Sequence, residues 1–355
     1  MTIQKKFLLD RLKAVMPGIE TGNSVMQGAD SFVFHDGKIF SYNDSISVAV
    51  PISNAGLLDE TIEGAVKATE FFTIISKFPG DEISFVVTEN GTWILKCGKA
   101  KAELTLQAFD YESRIKGIQP GEDWIEIDES FISGLGSCKM SANKTPLSGI
   151  IVSDSDVVST DGWQINRFKI NNKVPKFWIS DSSVDELLKI KKIEALQIQN
   201  NWVHFKTENG IIFSIKTLDS SKFPLDKIIK VIDTTSYTED DFHATFPAEL
   251  FNAIDRAVSF GMDISGHTSV RLALSPKNIE VSSERATGKY NEEVSWESEM
   301  KDFEPLSLYV DTTMMTFMAQ RSLEFYILKD DEESAPRLLF VTDSSIHLLS
   351  TFTVD

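Results

Sequence analysis

The sequence predicts an α+β fold in which one structural unit occurs three times. The same order of elements, a helix-forming segment followed by three apolar strands, begins near Asp59, Asp181 and Asp311. The turn at positions 88–91 also recurs in the same letters, TENG, at positions 207–210. Three copies in 355 residues give a period of about 118 residues, which is the size of a whole domain and too long for a solenoid repeat.

The first third contains two halves, each a helix followed by strands. Phe7, Leu8, Leu12 and Val15 recur at helical spacing, which predicts a helix in KKFLLDRLKAVM. Alternating apolar residues then predict the strands SFVFHD, KIFSYND and SISVAVPI. The second half repeats this order, with a helix in KATEFFTIISKFPG and strands in DEISFVV, TWILKCG and KAKAELTLQAF.

The other two thirds follow the same plan. The second third begins with a helix in DESFISGLGSCKM, capped by Asp128, and continues with the strands LSGIIVSDSD, VVSTDG and WQINRFKI. Its other half consists of DSSVDELLKIKKI, EALQIQ, NNWVHFK and IIFSIKTL. The last third begins with FPAELFNAIDRAVSF, where Pro247 suits a first helical turn. The strands SVRLALSP, NIEVSSE and EEVSWES follow, and then DTTMMTFMAQ, RSLEFYIL, RLLFVT and DSSIHLLSTFTV.

Two polar segments, residues 116–123 and 233–241, are the best places to divide the chain. They predict domains at residues 1–119, 120–238 and 239–355. Because strands outnumber helices, we expect the two helices of each domain to cover one face of antiparallel sheets. With the helices on a common side, the three domains would present six helices along one surface.

Composition limits the class of protein. The chain has 42% hydrophobic residues, as folded soluble proteins do, and only two cysteines, Cys97 and Cys138, which indicates a reducing compartment. The first residues do not resemble a signal peptide, and no apolar run is long enough for a membrane span. We therefore expect a cytoplasmic protein.

Net charge is −18, which by itself argues against binding to nucleic acid, but an acidic protein can still have one basic face. Basic residues do recur on the predicted helices and at their ends. We predict that these residues face DNA: Lys5, Lys6, Arg11, Lys13, Lys67, Lys77, Lys139, Lys144, Lys189, Lys191, Lys192, Arg256 and Arg321. The competing interpretation is that these are ordinary solvated helix faces, since acidic residues lie on the same helices.

Patterns that would indicate an enzyme are weak. Ser141 and Lys144 match S-x-x-K, but the companion motifs of penicillin-recognising enzymes are absent. Asp154, Asp156 and Asp161 resemble a metal cluster, yet turn formation explains them better. The five histidines are scattered without ligand spacing. We therefore predict no catalytic residues, no metal and no cofactor.

Taken together and in order, several segments resemble the bacterial sliding clamp, the beta subunit of the replicative DNA polymerase. The matches are KATEFFTIISKFPGDEISFVV and CGKAKAELTLQAF, then PLSGIIV with VVSTDGWQI, then KFP at 222–224, and FPAELFNAIDRAVSF with SVRLALSPKNIEVSS. The resemblance extends over essentially the whole chain. It implies a head-to-tail homodimer of three-domain subunits that closes a ring around duplex DNA without reading its sequence. It also implies a replicative DNA polymerase and a clamp loader as partners.

The resemblance also implies a pocket for partner peptides between the second and third domains. Carried over by position, its lining would be Leu147, Thr160, Gly162, Trp163, Gln164, Ile165, Val231, Ile232, Ser350, Thr351 and Phe352. Trp163-Gln164 replaces the family's usual His-Arg, and the tail lacks the Met-Pro-Met-like ending. Such divergence is what a phage-encoded clamp serving its own polymerase would show.

For the dimer, the resemblance implies that the edge strand KAKAELTLQ pairs with an edge strand of the third domain. The interface would contain Lys99, Lys101, Ala102, Leu104, Phe260, Glu297 and Glu299. One alternative stays open, a scaffold of the same fold that binds proteins and does not encircle DNA.

Overall fold

The structure, a computed structural model, describes residues 2–22, 26–52, 63–88, 91–142, 147–235, 237, 242–264, 267–296, 303–328 and 335–352. It confirms the predicted α+β class, with antiparallel sheets and helices packed on them. The chain forms two compact units, Met1–Glu129 with Phe177–Leu218, and Ser130–Lys176 with Asp219–Asp355. The division into three domains at residues 119 and 238 stays a prediction.

The first unit contains two sheets. The four-stranded sheet has, in spatial order, β1 (Thr2–Gln4), β6 (Glu82–Val87), β7 (Thr92–Cys97) and β8 (Ala100–Thr105). The eight-stranded sheet has β5 (Gly64–Lys67), β2 (Ser31–His35), β3 (Lys38–Tyr42), β4 (Ile46–Pro51), β14 (Ile212–Lys216), β13 (Trp202–Thr207), β12 (Ile193–Gln199) and β9 (Ile125–Glu126). Strands from two distant parts of the chain meet where β4 pairs with β14, with Val48 opposite Phe213.

Among the described residues, four α-helices belong to the first unit: α1 (Lys5–Val15), α2 (Ala68–Lys77), α3 (Tyr111–Arg114) and α5 (Asp181–Leu187). α1 and α2 pack against each other. The side of α1 that bears Leu8, Leu12 and Val15 is buried, as the helical spacing predicted. α2 buries Phe71, whose ring centroid lies 5.6 Å from that of Trp93 on β7. Burial of these apolar faces, rather than helix propensity, stabilises both helices.

The second unit also contains two sheets. The six-stranded sheet has β10 (Ile150–Thr160), β11 (Gln164–Ile179), β23 (Ser345–Ser350), β22 (Arg337–Val341), β21 (Glu324–Leu328) and β15 (Phe242–Thr245), and the residues of β11 up to Lys176 belong to this unit. The five-stranded sheet has β16 (Met262–Ile264), β17 (His267–Leu274), β18 (Asn278–Arg285) and β19 (Gly288–Ser295), with β20 (Leu306–Asp311) also paired to β17.

The described α-helices of the second unit are α4 (Glu129–Cys138), which enters this unit at Ser130, α6 (Leu225–Thr234), α7 (Glu249–Ala257) and α8 (Thr312–Ala319). α7 and α8 pack against each other. They share a core with the five- and six-stranded sheets that includes Leu250, Met315 and Phe325. The rings of Phe246 and Phe325 stack in it with centroids 3.6 Å apart. The two units therefore repeat one design, a pair of packed helices over antiparallel strands.

Two expectations about element bounds were wrong. The segments LSGIIVSDSD and VVSTDG are not two strands, because β10 runs through both. Asp154 adopts φ +54° within it, and the carboxylate of Asp156 is neutralised by Arg167 and Lys169, so the acidic residues do not interrupt the strand. The predicted helix in DSSVDELLKIKKI is also shorter than expected, since α5 ends at Leu187.

Candidate partner-peptide site and DNA-contact residues

A tight turn joins β10 to β11 and carries Trp163. Asp161 Oδ1 accepts hydrogen bonds from the backbone N–H groups of Trp163 and Gln164, each at 3.0 Å. Gly162 has φ +89°, a conformation that glycine adopts without steric cost. Thr160 Oγ1 donates to the carbonyl oxygen of Gln164 at 2.7 Å. Asp161 therefore forms a turn, as the sequence predicted, and Trp163 lies half-buried beside it.

The side chain of Gln164 anchors this turn to β23. Its Nε2 donates to Asp161 Oδ2 at 2.8 Å, and its Oε1 lies 2.7 Å from His347 Nε2. Burial, with a smaller contribution from the nearby Arg321, lowers the pKa of His347 to about 3, so the imidazole is neutral. A neutral ring that donates through Nε2 leaves Nδ1 without a hydrogen, and this buried atom has no hydrogen-bond partner among the described residues.

Trp163 packs against two aromatic rings from distant parts of the second unit. Its ring centroid lies 5.0 Å from that of Phe352 and 5.5 Å from that of His267. His267 Nδ1 lies 2.8 Å from Asp311 Oδ2, while Asp311 Oδ1 accepts the N–H of Met314 and so caps α8. Sequence reasoning found Trp163 and Phe352 but missed His267, because a single histidine carries no local signal.

One face of the six-stranded sheet carries a row of apolar side chains that begins two residues after Trp163. In the strand register, Ile165 lies opposite Leu348, Leu348 opposite Leu339, and Leu339 opposite Tyr326. Leu328, Leu339 and Leu348 form a small buried cluster on this face. Only Ile165 of this row was predicted as a site residue. Because side chains of a strand point to opposite faces in turn, counting every second residue along the apolar strands β21, β22 and β23 could have identified the others as sharing a face.

Arg167 fastens α6 to the same sheet. Its Nε and Nη2 bind the two oxygens of Asp156 at 2.7 and 3.0 Å, and its Nη1 binds Asp233 on α6 at 2.7 Å. Burial raises the pKa of Asp156, but the bonds to Arg167 and Lys169 outweigh it, so the pKa lies below its usual value. Of the two predicted residues on α6, Ile232 is buried and Val231 is 40% exposed.

The predicted pocket residues all lie in the second unit. The structure joins Trp163 to the end of β23, because the N–H of Ser350 donates to the carbonyl oxygen of Trp163 at 2.9 Å. Thr351 is buried and bonds to Pro336, and Phe352 donates its N–H to Tyr309 at 2.9 Å. Leu147 is half-buried in the turn before β10, and Gly162 is exposed.

Two of the sheets end in strands that match the predicted dimer contacts. β8 is the terminal strand of the four-stranded sheet, with Leu104 buried and Lys101 paired to Glu103 at 2.5 Å. β19 is the terminal strand of the five-stranded sheet. Phe260 packs closely on its first residue, since a Cβ at Gly288 would lie 2.8 Å from Phe260 Cε1. Lys99 is exposed and Ala102 half-buried, whereas Glu297 and Glu299 lie outside the described residues.

The residues predicted to face DNA differ in exposure and in whether their side chains already bond to other groups of the chain. Lys189, Lys191 and Lys192 do not lie on a helix, because α5 ends before them at Leu187. Several of the predicted lysines already bond within the chain, among them Lys5 to the carbonyl oxygen of Phe78, Lys67 to Asp30, Lys189 to Glu186 and Lys192 to Glu208. Lys139 is half-buried, and Lys144 lies outside the described residues. Lys6, Lys13, Lys77 and Lys191 are exposed.

Both predicted arginines of the last third are engaged by other groups. Arg321 Nη1 donates to the carbonyl oxygen of Ser137 at 3.1 Å and Nη2 to that of Gly136 at 3.0 Å, while its guanidinium lies 3.8 Å from the ring centroid of Phe317. It thus satisfies carbonyl groups at the end of α4. Arg256 on α7 binds both carboxylate oxygens of Glu292, at 2.6 and 3.0 Å.

No group of histidine, cysteine or acidic side chains in the described part of the chain could hold a metal ion. Cys97 and Cys138 are buried free thiols, and burial raises the pKa of Cys138 to about 12. No helix among the described residues is long and apolar enough to cross a membrane.

Comparison with solved structures decides the fold. The DNA polymerase III subunit beta from Pseudomonas aeruginosa superposes with a TM-score of 0.79 at 16% identity, over 100% of both chains. The DNA polymerase sliding clamp from Bacillus subtilis gives 0.79 at 20% identity, over 100% of this chain and 99% of that one. The chain has the sliding-clamp fold.

The fold expectation drawn from the sequence resemblance is therefore confirmed over the whole chain. A putative beta subunit from Eubacterium rectale, at 16% identity and a TM-score of 0.79, has the same sliding-clamp fold. No family model matches the sequence, and no curated protein does. At such low identity the likeness concerns the fold.

Proposed function

We propose that this protein is a DNA polymerase processivity factor, a ring-shaped sliding clamp that encircles duplex DNA and tethers the replicative polymerase. The observation that carries the proposal is the likeness to sliding clamps over the full length of both chains. A ring holds DNA by topology, so its contacts can be weak and blind to sequence while the tethered polymerase rebinds at high effective concentration. It needs no active site, and we infer that it is not an enzyme and acts in the cytoplasm.

Ring closure would use the two terminal strands described above. Three domains per chain, at residues 1–119, 120–238 and 239–355, require two chains for six domains. Pairing β8 of one protomer with β19 of its partner would satisfy the open edges of both strands and continue the sheet across the subunits. Leu104 and Phe260 would contribute apolar contact, with Lys99 and Lys101 facing acidic residues of the partner.

The polymerase and a clamp loader would dock in the peptide pocket through short linear segments. Trp163 supplies a rigid, half-buried aromatic surface, Val231 is exposed on α6, and Ile165 begins the apolar row across the sheet. We propose that the pocket accepts an extended peptide carrying two or more large apolar side chains. Such peptides usually bind with micromolar strength, about −8 kcal/mol.

Topological retention on DNA tests the ring without a loader. A duplex is fixed to a bead at one end, the protein is allowed to thread over the free end, and that end is then closed with a bulky antibody. After a high-salt wash, we expect protein to remain only on duplexes with both ends closed. Equal retention on open and closed duplexes, or none on either, would contradict encirclement.

The remaining alternative is a scaffold with the sliding-clamp fold that does not encircle DNA. Particle mass in solution discriminates between the two, because a ring of six domains requires a homodimer. A stable monomer at micromolar concentration in low salt, together with undiminished binding of polymerase peptides, would favour the scaffold.

A further inference from the structure

One helix differs from the others in charge. α1 carries four cationic side chains, Lys5, Lys6, Arg11 and Lys13, against one carboxylate, Asp10, which gives it a net charge of +3. Among the α-helices that the structure describes, it is the only one with a net positive charge. α2, α3, α6 and α8 are neutral, α4 and α7 carry −1, and α5 carries −3.

The exposed surface of α1 has the spacing of a phosphate-binding face. Lys6 and Lys13 are exposed and lie seven residues apart, so they share one face about 10.5 Å apart along the helix. That distance corresponds to about three base-pair steps of duplex DNA. Neither lysine forms an ion pair with another described residue. Asp10 is exposed between them, four residues after Lys6 and three before Lys13.

The α7–α8 pair has the same place in its own unit as α1 and α2 have in theirs, but not the same charge. Glu249 and Asp255 are exposed on α7, and its cation Arg256 is held by Glu292. α8 has no charged residue. A cavity of about 380 Å³ beside these helices is lined by three threonines, Gln320 and apolar side chains, and its one charged residue is Asp255.

We propose that α1 is the principal phosphate-contacting helix of this chain and that α7 and α8 make no phosphate contact. Asp10 lowers the affinity of α1 for the DNA backbone. This inference rests on the proposed function, and it selects one helix from the set of cations that the sequence predicted to face DNA. Lys6 and Lys13 attract the phosphates of the DNA backbone, and the carboxylate of Asp10 between them repels these phosphates. The balance lets DNA slide past α1 instead of binding it firmly.

Two matched pairs of variants test the proposal by fluorescence anisotropy of a short labelled duplex across a salt series. The double variant Lys6→Gln, Lys13→Gln is compared with Lys227→Gln, Lys230→Gln, which removes the same charge from two exposed positions on α6. Asp10→Asn is compared with Asp255→Asn, an equal change on α7. Thermal unfolding checks that each variant is folded.

We expect the α1 double variant to reduce the slope of log affinity against log salt by about 1.8 per subunit, since each lost phosphate contact removes about 0.9. Asp10→Asn should tighten binding about two- to fivefold, the range for one exposed charge interaction. The α6 double variant and Asp255→Asn should match the wild-type protein.

The failures of the two proposals are distinguishable. If wild-type protein is retained on closed duplexes while the α1 variants bind like the wild type, the inference is wrong and the clamp proposal stands. The inference is also wrong if Asp255→Asn tightens binding as much as Asp10→Asn does. If the wild-type protein neither binds the labelled duplex nor remains on closed DNA, both proposals are wrong.

Discussion

Acidification should destabilise this protein through one buried histidine beside the partner-peptide site. His347 lies in the core with Nε2 bonded to Gln164, and burial lowers the pKa of its imidazole to about 3, against about 6.5 in an unfolded chain. Below pH 6.5 the unfolded state binds a proton that the folded state does not. The stability that the neutral ring contributes is therefore complete above about pH 6.5 and is lost as the pH falls toward 3.

The size of the effect follows from the two pKa values. Each pH unit between them costs about 1.4 kcal/mol of unfolding free energy, so acidification from about pH 7 to about pH 4 should cost about 3 kcal/mol. That is a large fraction of the total stability of a typical domain. Since His347 holds Gln164, and Gln164 holds the turn that carries Trp163, partner binding should weaken over the same range of pH.

Urea unfolding as a function of pH measures this loss. His347→Gln keeps a donor near Gln164 but cannot take up the proton, so its stability should fall by about 3 kcal/mol less than that of the wild type over this range. His204, buried with a pKa of about 4, contributes equally to both proteins and cancels in the comparison. His243→Gln removes a half-buried histidine from the surface of another strand and serves as the control. Parallel pH profiles for wild type and His347→Gln would refute the reasoning.

Three further outcomes are expected. Trp163→Ala should weaken the binding of a partner peptide by about 2 kcal/mol or more, measured by calorimetry. It should lower the stability of the protein by less than the roughly 3–5 kcal/mol typical of a fully buried tryptophan, measured by thermal melting, with Trp124→Ala as the control. Unchanged peptide affinity would end the assignment of Trp163 to the pocket. Arg321→Gln should cost about 1–3 kcal/mol in urea unfolding, because the carbonyl groups at the end of α4 lose their donor, whereas exposed Arg285→Gln should cost little. Lys99→Glu with Lys101→Glu should shift the homodimer toward monomer in sedimentation, by up to about 1 kcal/mol per lost ion pair, and an unchanged dimer would argue against β8 as the interface.

Local elements of this chain could be predicted because their signals lie within a few residues. The spacing of Leu8, Leu12 and Val15 is enough to place α1, since a buried helical face needs apolar residues every three or four positions. The apolar segments at β2, β3 and β4 were also placed correctly, although these strands are buried on both faces and not on alternate residues as expected. Asp161 and Gly162 predicted the turn before Trp163, because each residue type suits its backbone conformation there.

Expectations that depended on distant partners were the ones that changed. β10 continues through Asp154 and Asp156 because Arg167 and Lys169, more than ten residues away, neutralise Asp156. His267 and Leu348 join the candidate site from β17 and β23, and nothing near them in the sequence indicates this. From the sequence alone, Arg256 and Arg321 cannot be distinguished from arginines with free side chains. In the structure, Glu292 binds Arg256, and the carbonyl groups at the end of α4 bind Arg321.

The sequence by itself determined the repeated α+β plan, the periodic faces of the helices and strands, and the resemblance that led to the sliding-clamp fold. Only the tertiary structure decided which charges remain free, which aromatic rings meet Trp163, and which strands end a sheet. The reason is physical. Periodicity reports burial within one element, whereas ion pairs, ring contacts and open sheet edges depend on residues that are brought together only when the elements pack.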